Sequence, residues 1–259
     1  MTKESKHEEN TRSAQVLVKR ATDPHQYDSL DLDWEKEGMS DSPTRQFFHE
    51  YLTQNLENLT NKSVIDIGSG TGHLTKLFSS LGAKEIYGIE PARKNVEISR
   101  KLYPEMSVEE TGLENAEVDK KFDVAVVVMA FEHMGNLDVA FRKIATLMKL
   151  HGTLYAVVGD KDYHVMERFE HELKVEDLGN GEVAVATKRP YGLMHDIFRP
   201  LDVFVDAAQK DGFSLKKHVP LTPTEKFMQN EAKYKVFEKT ALCHLLIFEY
   251  GGQPAHTGL

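Results

Sequence analysis

Two hydrophobic rhythms alternate through the middle of this chain. Short β-branched and aromatic runs, such as Val64-Ile65-Asp66-Ile67, Ile86-Tyr87-Gly88-Ile89 and Val124-Ala125-Val126-Val127-Val128, have the length and composition of buried strands. Between them apolar residues recur every three or four positions, as do Leu74, Leu77, Phe78 and Leu81, and then Val96, Ile98 and Leu102; this is the spacing of one buried helix face. The pattern predicts strands near 63–67, 85–89, 106–109, 122–128 and 152–158, with helices near 72–82, 91–102 and 137–149. Strand and helix in repeated alternation make a parallel sheet covered on both faces, so the fold class is α/β and doubly wound.

On either side of this core the pattern changes. Residues 1–14 are polar and without period, and a disordered start is expected there. Ser42-Pro43 marks a helix start, with Phe47, Tyr51, Leu52 and Leu56 on one face. Over 160–199 the rhythm breaks into a charged, helical-looking run from Tyr163 to Leu173, a hairpin signal at Asn180-Gly181 and a strand-like Val183 to Thr187. A helix over Pro200 to Lys210 and strands over Phe213 to Val219 and Ala241 to Tyr250 follow, and 251–259 reads as a loose tail.

The connection after the first strand carries the first candidate chemistry. Gly68, Gly70 and Gly72 alternate with small polar residues, so the backbone can take positive φ and lie bare against a ligand at the start of a helix. The spacing G-x-G-x-G differs from the dinucleotide fingerprint G-x-G-x-x-G, and no Gly-Lys-Ser/Thr follows as a phosphate loop requires. Glu90, at the tip of the second strand about twenty residues on, is placed to accept hydrogen bonds from ribose hydroxyls. Pro91 beside it suits the first turn of the next helix.

Together these stretches resemble the class I S-adenosylmethionine-dependent methyltransferases over roughly residues 45–160. Lys121 to Val128 resembles that family's fourth strand, and Phe131-Glu132-His133-Met134 the segment after it. Leu147 to Tyr155 is similar to its entry into strand five, with Leu150 and His151 in place of the usual proline and glycine. Arg199-Pro200-Leu201 and Asp211-Gly212-Phe213 resemble the small-molecule, ubiquinone-biosynthesis-like (type 11/12) group. The resemblance implies a Rossmann-like seven-stranded sheet of order 3-2-1-4-5-7-6 whose last strand is antiparallel. It implies one domain over 15–250, with an N-terminal helical cap (15–59) and an inserted acceptor lid (160–199). It implies S-adenosylmethionine as cofactor, S-adenosylhomocysteine as product and a small-molecule acceptor. The cofactor would meet Asp66, Gly68, Ser69, Gly70, Gly72, Glu90, Pro91, Gly112, Leu113, Met129 and Ala130.

For the acceptor, position suggests Tyr27, Trp34, Tyr163, His164, Tyr191, His195 and Arg199, with His133 and His195 as candidate catalytic groups. For His133, capping the next helix comes first, ahead of orienting a substrate and then of acting as a base. A neutral hydroxyl acceptor needs a base within hydrogen-bond reach, whereas an enolate, phenolate or free amine needs little help.

Composition narrows the field. A formal charge of −9 argues against a nucleic-acid partner, whose phosphates call for lysine and arginine. The lone cysteine, Cys243, lies in an apolar strand-like run and is expected to be buried; no Cys/His cluster suggests a metal. The charged start is unlike a secretory signal and the longest apolar run is too short to span a bilayer, which together predict a cytoplasmic protein. Two other readings share the glycine loop: a nicotinamide-dependent oxidoreductase and a non-catalytic adenosyl-binding regulatory module.

Overall fold

A computed structural model of the chain describes residues 3–33, 42–169 and 172–252. Helix α1 (Lys3–Ala21) comes first, then a 3-10 turn at Gln26–Ser29 and α2 (Pro43–Asn55), whose first turn is capped by the Ser42 hydroxyl accepting from the Arg45 amide at 3.3 Å. The α/β core then runs β1 (Ser63–Ile67), α3 (Thr75–Ser80), β2 (Glu85–Glu90), α4 (Arg93–Leu102), β3 (Ser107–Glu110), β4 (Phe122–Val128), α5 (Leu137–Leu147) and β5 (Met148–Gly159). A one-turn helix α6 (Lys161–His164) leads to β6 (Leu173–Gly179), β7 (Glu182–Arg189) and β8 (Gly192–Phe198). The chain ends with α7 (Leu201–Lys210), β9 (Phe213–Leu221), α8 (Glu225–Asn230) and β10 (Cys243–Tyr250).

Seven strands form one sheet in the order β3-β2-β1-β4-β5-β10-β9, and β10 runs antiparallel to both its neighbours. This is the expected order. Ile65, Ile67, Ala125 and Val127 point to one face, against Phe131, Phe141 and Phe204; Val64, Val124 and Val126 point to the other, against Phe47, Leu52, Leu74 and Phe78. Period-two alternation with both sets apolar is why the strands read as continuous hydrophobic runs. Cys243 is buried at the start of β10.

Three elements depart from the sequence pattern. Helix α3 starts at Thr75 rather than 72, because Gly72 has φ 79° and cannot join a right-handed turn. Strand β5 starts four residues early, and His151, standing in the proline-glycine entry, takes φ 63° while the β4–β5 register shifts. The helical-looking Tyr163–Leu173 forms only the single turn α6: the Arg168 guanidinium folds back to the carbonyls of Tyr163 (2.8 Å), His164 (3.2 Å) and Met166 (2.9 Å), and Phe169 turns to φ 52°.

The insertion is a separate three-stranded antiparallel sheet, β6-β7-β8, with its hairpin at Asn180 (φ 53°) and Gly181 (φ 77°) as the Asn-Gly pair predicts. It packs on α1: Leu17 is buried with Ala184 and Ala186, and Ser13 donates to Glu176 at 2.6 Å. The expected disorder over 1–14 is thus replaced by helix from Lys3, since Ala14, Leu17 and Ala21 make an apolar stripe too thin to see without the sheet that buries it. The expected tail is described only to Gly252. Among the described residues no helix is long and apolar enough to cross a membrane.

Candidate active site

The carboxyl ends of β1, β2 and β4 open into a cavity of about 960 Å³, at the top of the range for ligand sites. Its floor is the glycine loop. The amides of Gly68 and Ser69 donate to the Ile89 carbonyl at 2.8 and 3.1 Å, pinning the loop to β2. Gly68 (φ 70°) presses on Ala130, whose Cβ would lie 2.5 Å from a Cβ placed there; a Cβ at Gly70 (φ 55°) would meet nothing within 4 Å, so bare backbone faces the cavity.

Glu90 closes one side. Its carboxylate accepts from the amides of Gly70 (2.9 Å) and Ala92 (2.8 Å) and from Asn95 Nδ2 (3.1 Å). Burial raises its pKa against the lowering effect of these bonds. A carboxylate has about four acceptor positions and three are used, so one on Oε2 remains for a hydroxyl of a ligand. Pro91, Gly112, Leu113, Met129 and Ala130 also line the cavity. Met129 holds φ 52°, a strained value for a residue with a side chain, and its sulfur lies 3.7 Å from Cys243 Sγ.

Three expected cofactor residues lie behind this wall. A Cβ at Gly72 would meet Ser99 Oγ at 2.7 Å, so that glycine serves close packing on α4; Ser69 turns its buried hydroxyl toward Gly88. Asp66 lies below the loop, 1% exposed, with Oδ2 unpartnered; burial first, and then the Glu90 charge, push its pKa up to about 7.

At the far end His133 is held from three elements. Its Nδ1 is 3.3 Å from the Ala21 carbonyl and its Nε2 is 2.9 Å from the Tyr27 hydroxyl. Gln26 donates its amide protons to the carbonyls of Ala21 (3.0 Å) and His195 (3.3 Å). With the imidazole hydrogen on Nδ1 the ring donates to the Ala21 carbonyl and Nε2 accepts from Tyr27; with it on Nε2, Nδ1 accepts from Gln26 Nε2, 3.1 Å away. Asp196 Oδ1, from β8, is 3.7 Å from the same Nε2. Burial raises the pKa of Asp196, and burial with neighbouring carboxylates raises that of Tyr27, so the phenol keeps its proton.

A second imidazole pair lies beside the loop. His73, on the cavity wall, stacks on His49 at 5.6 Å and 4°, and neither His73 nitrogen has a hydrogen-bond partner. Burial, then Arg45, lower its pKa, so it is neutral at pH 7.

The expected acceptor residues divide. Tyr27 and Tyr191 line the cavity with His133; Trp34 lies outside the described residues. Tyr163 is buried in the core beside Phe237, and His164 stacks on Phe198 at 4.2 Å with its pKa pushed down to about 3 by burial. Arg199, 3% exposed, donates to the carbonyls of Phe131 (3.0 Å) and Met134 (2.7 Å) and pairs with Glu182. His195 meets the site through its backbone, on Gln26. So among the described residues of the insertion only Tyr191 reaches the wall, and Asp196 stands beside His133. Gln26 and Asp196 carried no motif; His73 and Arg45 were legible only as neighbours of the glycine loop and of a helix start. Among the described residues no group of three or more His, Cys, Asp or Glu is placed to hold a metal ion.

A glycine loop after β1, an acid at the tip of β2 and an antiparallel β10 between β5 and β9 define the Rossmann-like methyltransferase fold; dinucleotide-binding sheets have the all-parallel order 3-2-1-4-5-6. A family model described as a methyltransferase domain matches residues 41–213, more than half of the chain, and the chain belongs to that family. Among curated relatives, an uncharacterized methyltransferase of Bacillus mycoides is 35% identical over 105 residues, covering 38% of this chain and 49% of that protein. A protein of Invertebrate iridescent virus 6, also named as a methyltransferase, is 31% identical over 101 residues, covering 39% and 38%. The match thus spans half or less of these relatives' length. Among solved structures, an S-adenosylmethionine-dependent methyltransferase from Mesorhizobium loti superposes with a TM-score of 0.64 at 14% identity, covering 81% of this chain and 99% of that one. The glycopeptide N-methyltransferase MtfA, solved with S-adenosylmethionine, gives 0.55 at 13% identity, covering 79% and 92%.

Proposed function

We propose that this chain transfers a methyl group from S-adenosylmethionine to a small-molecule acceptor. The observation that carries the reading is one cavity reaching from the Gly70 backbone and Glu90 to Tyr27 and His133, roofed by residues 22–32. The bare backbone at Gly70, the remaining acceptor capacity of Glu90 and the unpartnered nitrogens of His73 fit the cofactor's adenosyl and amino-acid parts. Glu90 would accept from a ribose hydroxyl through its remaining Oε2 position, Ile89 and Leu113 would flank the base, and Arg45 with His73 would take the carboxylate. When bound, the cofactor supplies an electrophilic methyl on a cationic sulfur.

The rest is done by the chain. The 22–32 segment over the cavity would orient the acceptor, a main source of acceleration in an in-line displacement. His133 lines the cavity and, once the Tyr27 hydroxyl turns from donating to accepting, Nε2 can receive a proton released by the acceptor. Calorimetry with S-adenosylhomocysteine, followed by an acceptor screen with methyl-labelled S-adenosylmethionine, tests the reading. Micromolar binding with turnover of a small molecule is expected. Binding without turnover of any acceptor would support a regulatory adenosyl-binding module, and no binding would end the proposal.

A further inference from the structure

The acceptor end of the cavity, bounded by Thr22, Asp23, Gln26, Tyr27, His133 and Tyr191, carries charge of one sign. Asp23 lies on the wall and Asp196 sits 3.7 Å behind His133 Nε2, enclosed by protein yet with 19% of its side chain still accessible. Glu132 is buried nearby, with Oε1 bound to the Gly159 amide at 2.7 Å and Oε2 unpartnered. After burial itself, the charges that raise the Tyr27 pKa are Asp196, Glu90 and Glu132, all anionic. The cations nearby are off the cavity wall. Arg199 is fixed on carbonyls and Glu182, while Arg189 and His195 face Asp196. Among the described residues lining the cavity, Arg45 is the one lysine or arginine, and it belongs to the glycine-loop end with His73. An acceptor carboxylate or phosphate would meet Asp23 and Asp196 with no lysine or arginine on this part of the cavity wall; a cation would meet carboxylates and two phenol rings.

We propose that the acceptor is an amine which enters as its ammonium ion, seated against Tyr27 and Tyr191 and attracted by Asp196. The inference rests on the methyltransferase reading above and specifies its substrate class. An ammonium has no lone pair, so it must lose a proton before it can attack. That proton passes to His133 Nε2 as the Tyr27 hydroxyl turns from donating to accepting, and the adjacent Asp196 charge stabilises the imidazolium. The freed nitrogen pair then forms the N–CH₃ bond as the C–S bond breaks, its electron pair staying on sulfur; the products are the methylated ammonium, neutral thioether and protonated His133. Asp196 is a positioning residue in this scheme, since it acts on the acceptor through charge and through His133.

The test is calorimetry on protein saturated with S-adenosylhomocysteine, using three probes of one shape: 2-phenylethylamine, 2-phenylethanol and 3-phenylpropionate. The amine should bind about tenfold or more tighter than the alcohol, and the carboxylate most weakly. Asp196→Asn should weaken the amine about tenfold and leave the alcohol and S-adenosylhomocysteine unchanged, while Asp196→Glu should restore much of the loss. The idea is overturned if the alcohol or carboxylate binds as tightly as the amine, if the amine does not bind the loaded protein, or if folded Asp196→Asn binds it normally. Should that variant fail to fold, the ranking of the three probes on the native chain decides. Failure of S-adenosylhomocysteine to bind is a separate result, which removes the methyltransferase reading itself.

Discussion

Asp66 lies under the glycine loop with one carboxylate oxygen buried and unpartnered, and its pKa stands at about 7 against an ordinary 3.8. The folded chain therefore holds this proton more tightly than the unfolded chain. The stabilisation it contributes is fully present below the unfolded value and lost as pH rises through 7. Between pH 5 and pH 8 that loss is about 2 to 3 kcal/mol, at 1.36 kcal/mol per unit of displacement. Glu132, also pushed up to about 7 by burial, loses stability in the same window, and histidines with lowered pKa values, such as His73 and His164, act in the opposite direction below 6.5. Comparing native protein with Asp66→Asn cancels those contributions, along with any fixed cost of the amide. Urea unfolding at pH 5 and pH 8 should show Asp66→Asn gaining about 2 to 3 kcal/mol relative to the native chain at the higher pH. Parallel stabilities at the two pH values would mean that Asp66 titrates as an ordinary surface acid, and the reasoning from its burial would fail.

Other substitutions separate the parts of the site. Glu90→Ala removes the acceptor of the Gly70 and Ala92 amides and should lower S-adenosylhomocysteine affinity about tenfold or more, read by calorimetry, with about 1.5 to 3 kcal/mol lost per charge-assisted contact. Gly70→Ala, at φ 55° but in open space, should fold with a loss of about 1 to 2 kcal/mol and bind the product poorly, whereas Gly68→Val, whose Cβ would meet Ala130 at 2.5 Å, should lower Tm more steeply. Arg199→Ala should destabilise the fold by about 3 kcal/mol in denaturant, because it frees three carbonyls and strands Glu182. An effect of Arg199→Ala confined to acceptor KM would contradict its placement.

The residues that were legible in advance are those whose role is set by local backbone chemistry. A glycine at Gly68 or Gly70 is needed wherever the chain turns through positive φ, and an apolar run such as Val124 to Val128 is needed wherever a strand is covered on both faces. Strand–helix alternation therefore specified the five parallel strands, and the spacing of 20 residues from Gly70 specified Glu90, which hydrogen-bonds to it. Asn180-Gly181 specified its hairpin for the same reason.

The acceptor end depended instead on which surfaces meet. Helix α1 has only a thin apolar stripe and acquires a partner when β6, β7 and β8 form a sheet for Leu17 to pack on, and that docking brings Ala21, Gln26 and Tyr27 onto His133. Tyr163, His164, Asp196 and Arg199 are alike in sequence, polar residues in one irregular insertion. Tertiary packing sends two into the interior, ties Arg199 to carbonyls and leaves Asp196 against the catalytic candidate, because each buried donor and acceptor must find a partner among groups distant in the chain. Periodicity along the sequence carries no record of such pairings. It determined the glycine loop and Glu90, while the surroundings of His133 were decided by contacts 100 or more residues apart.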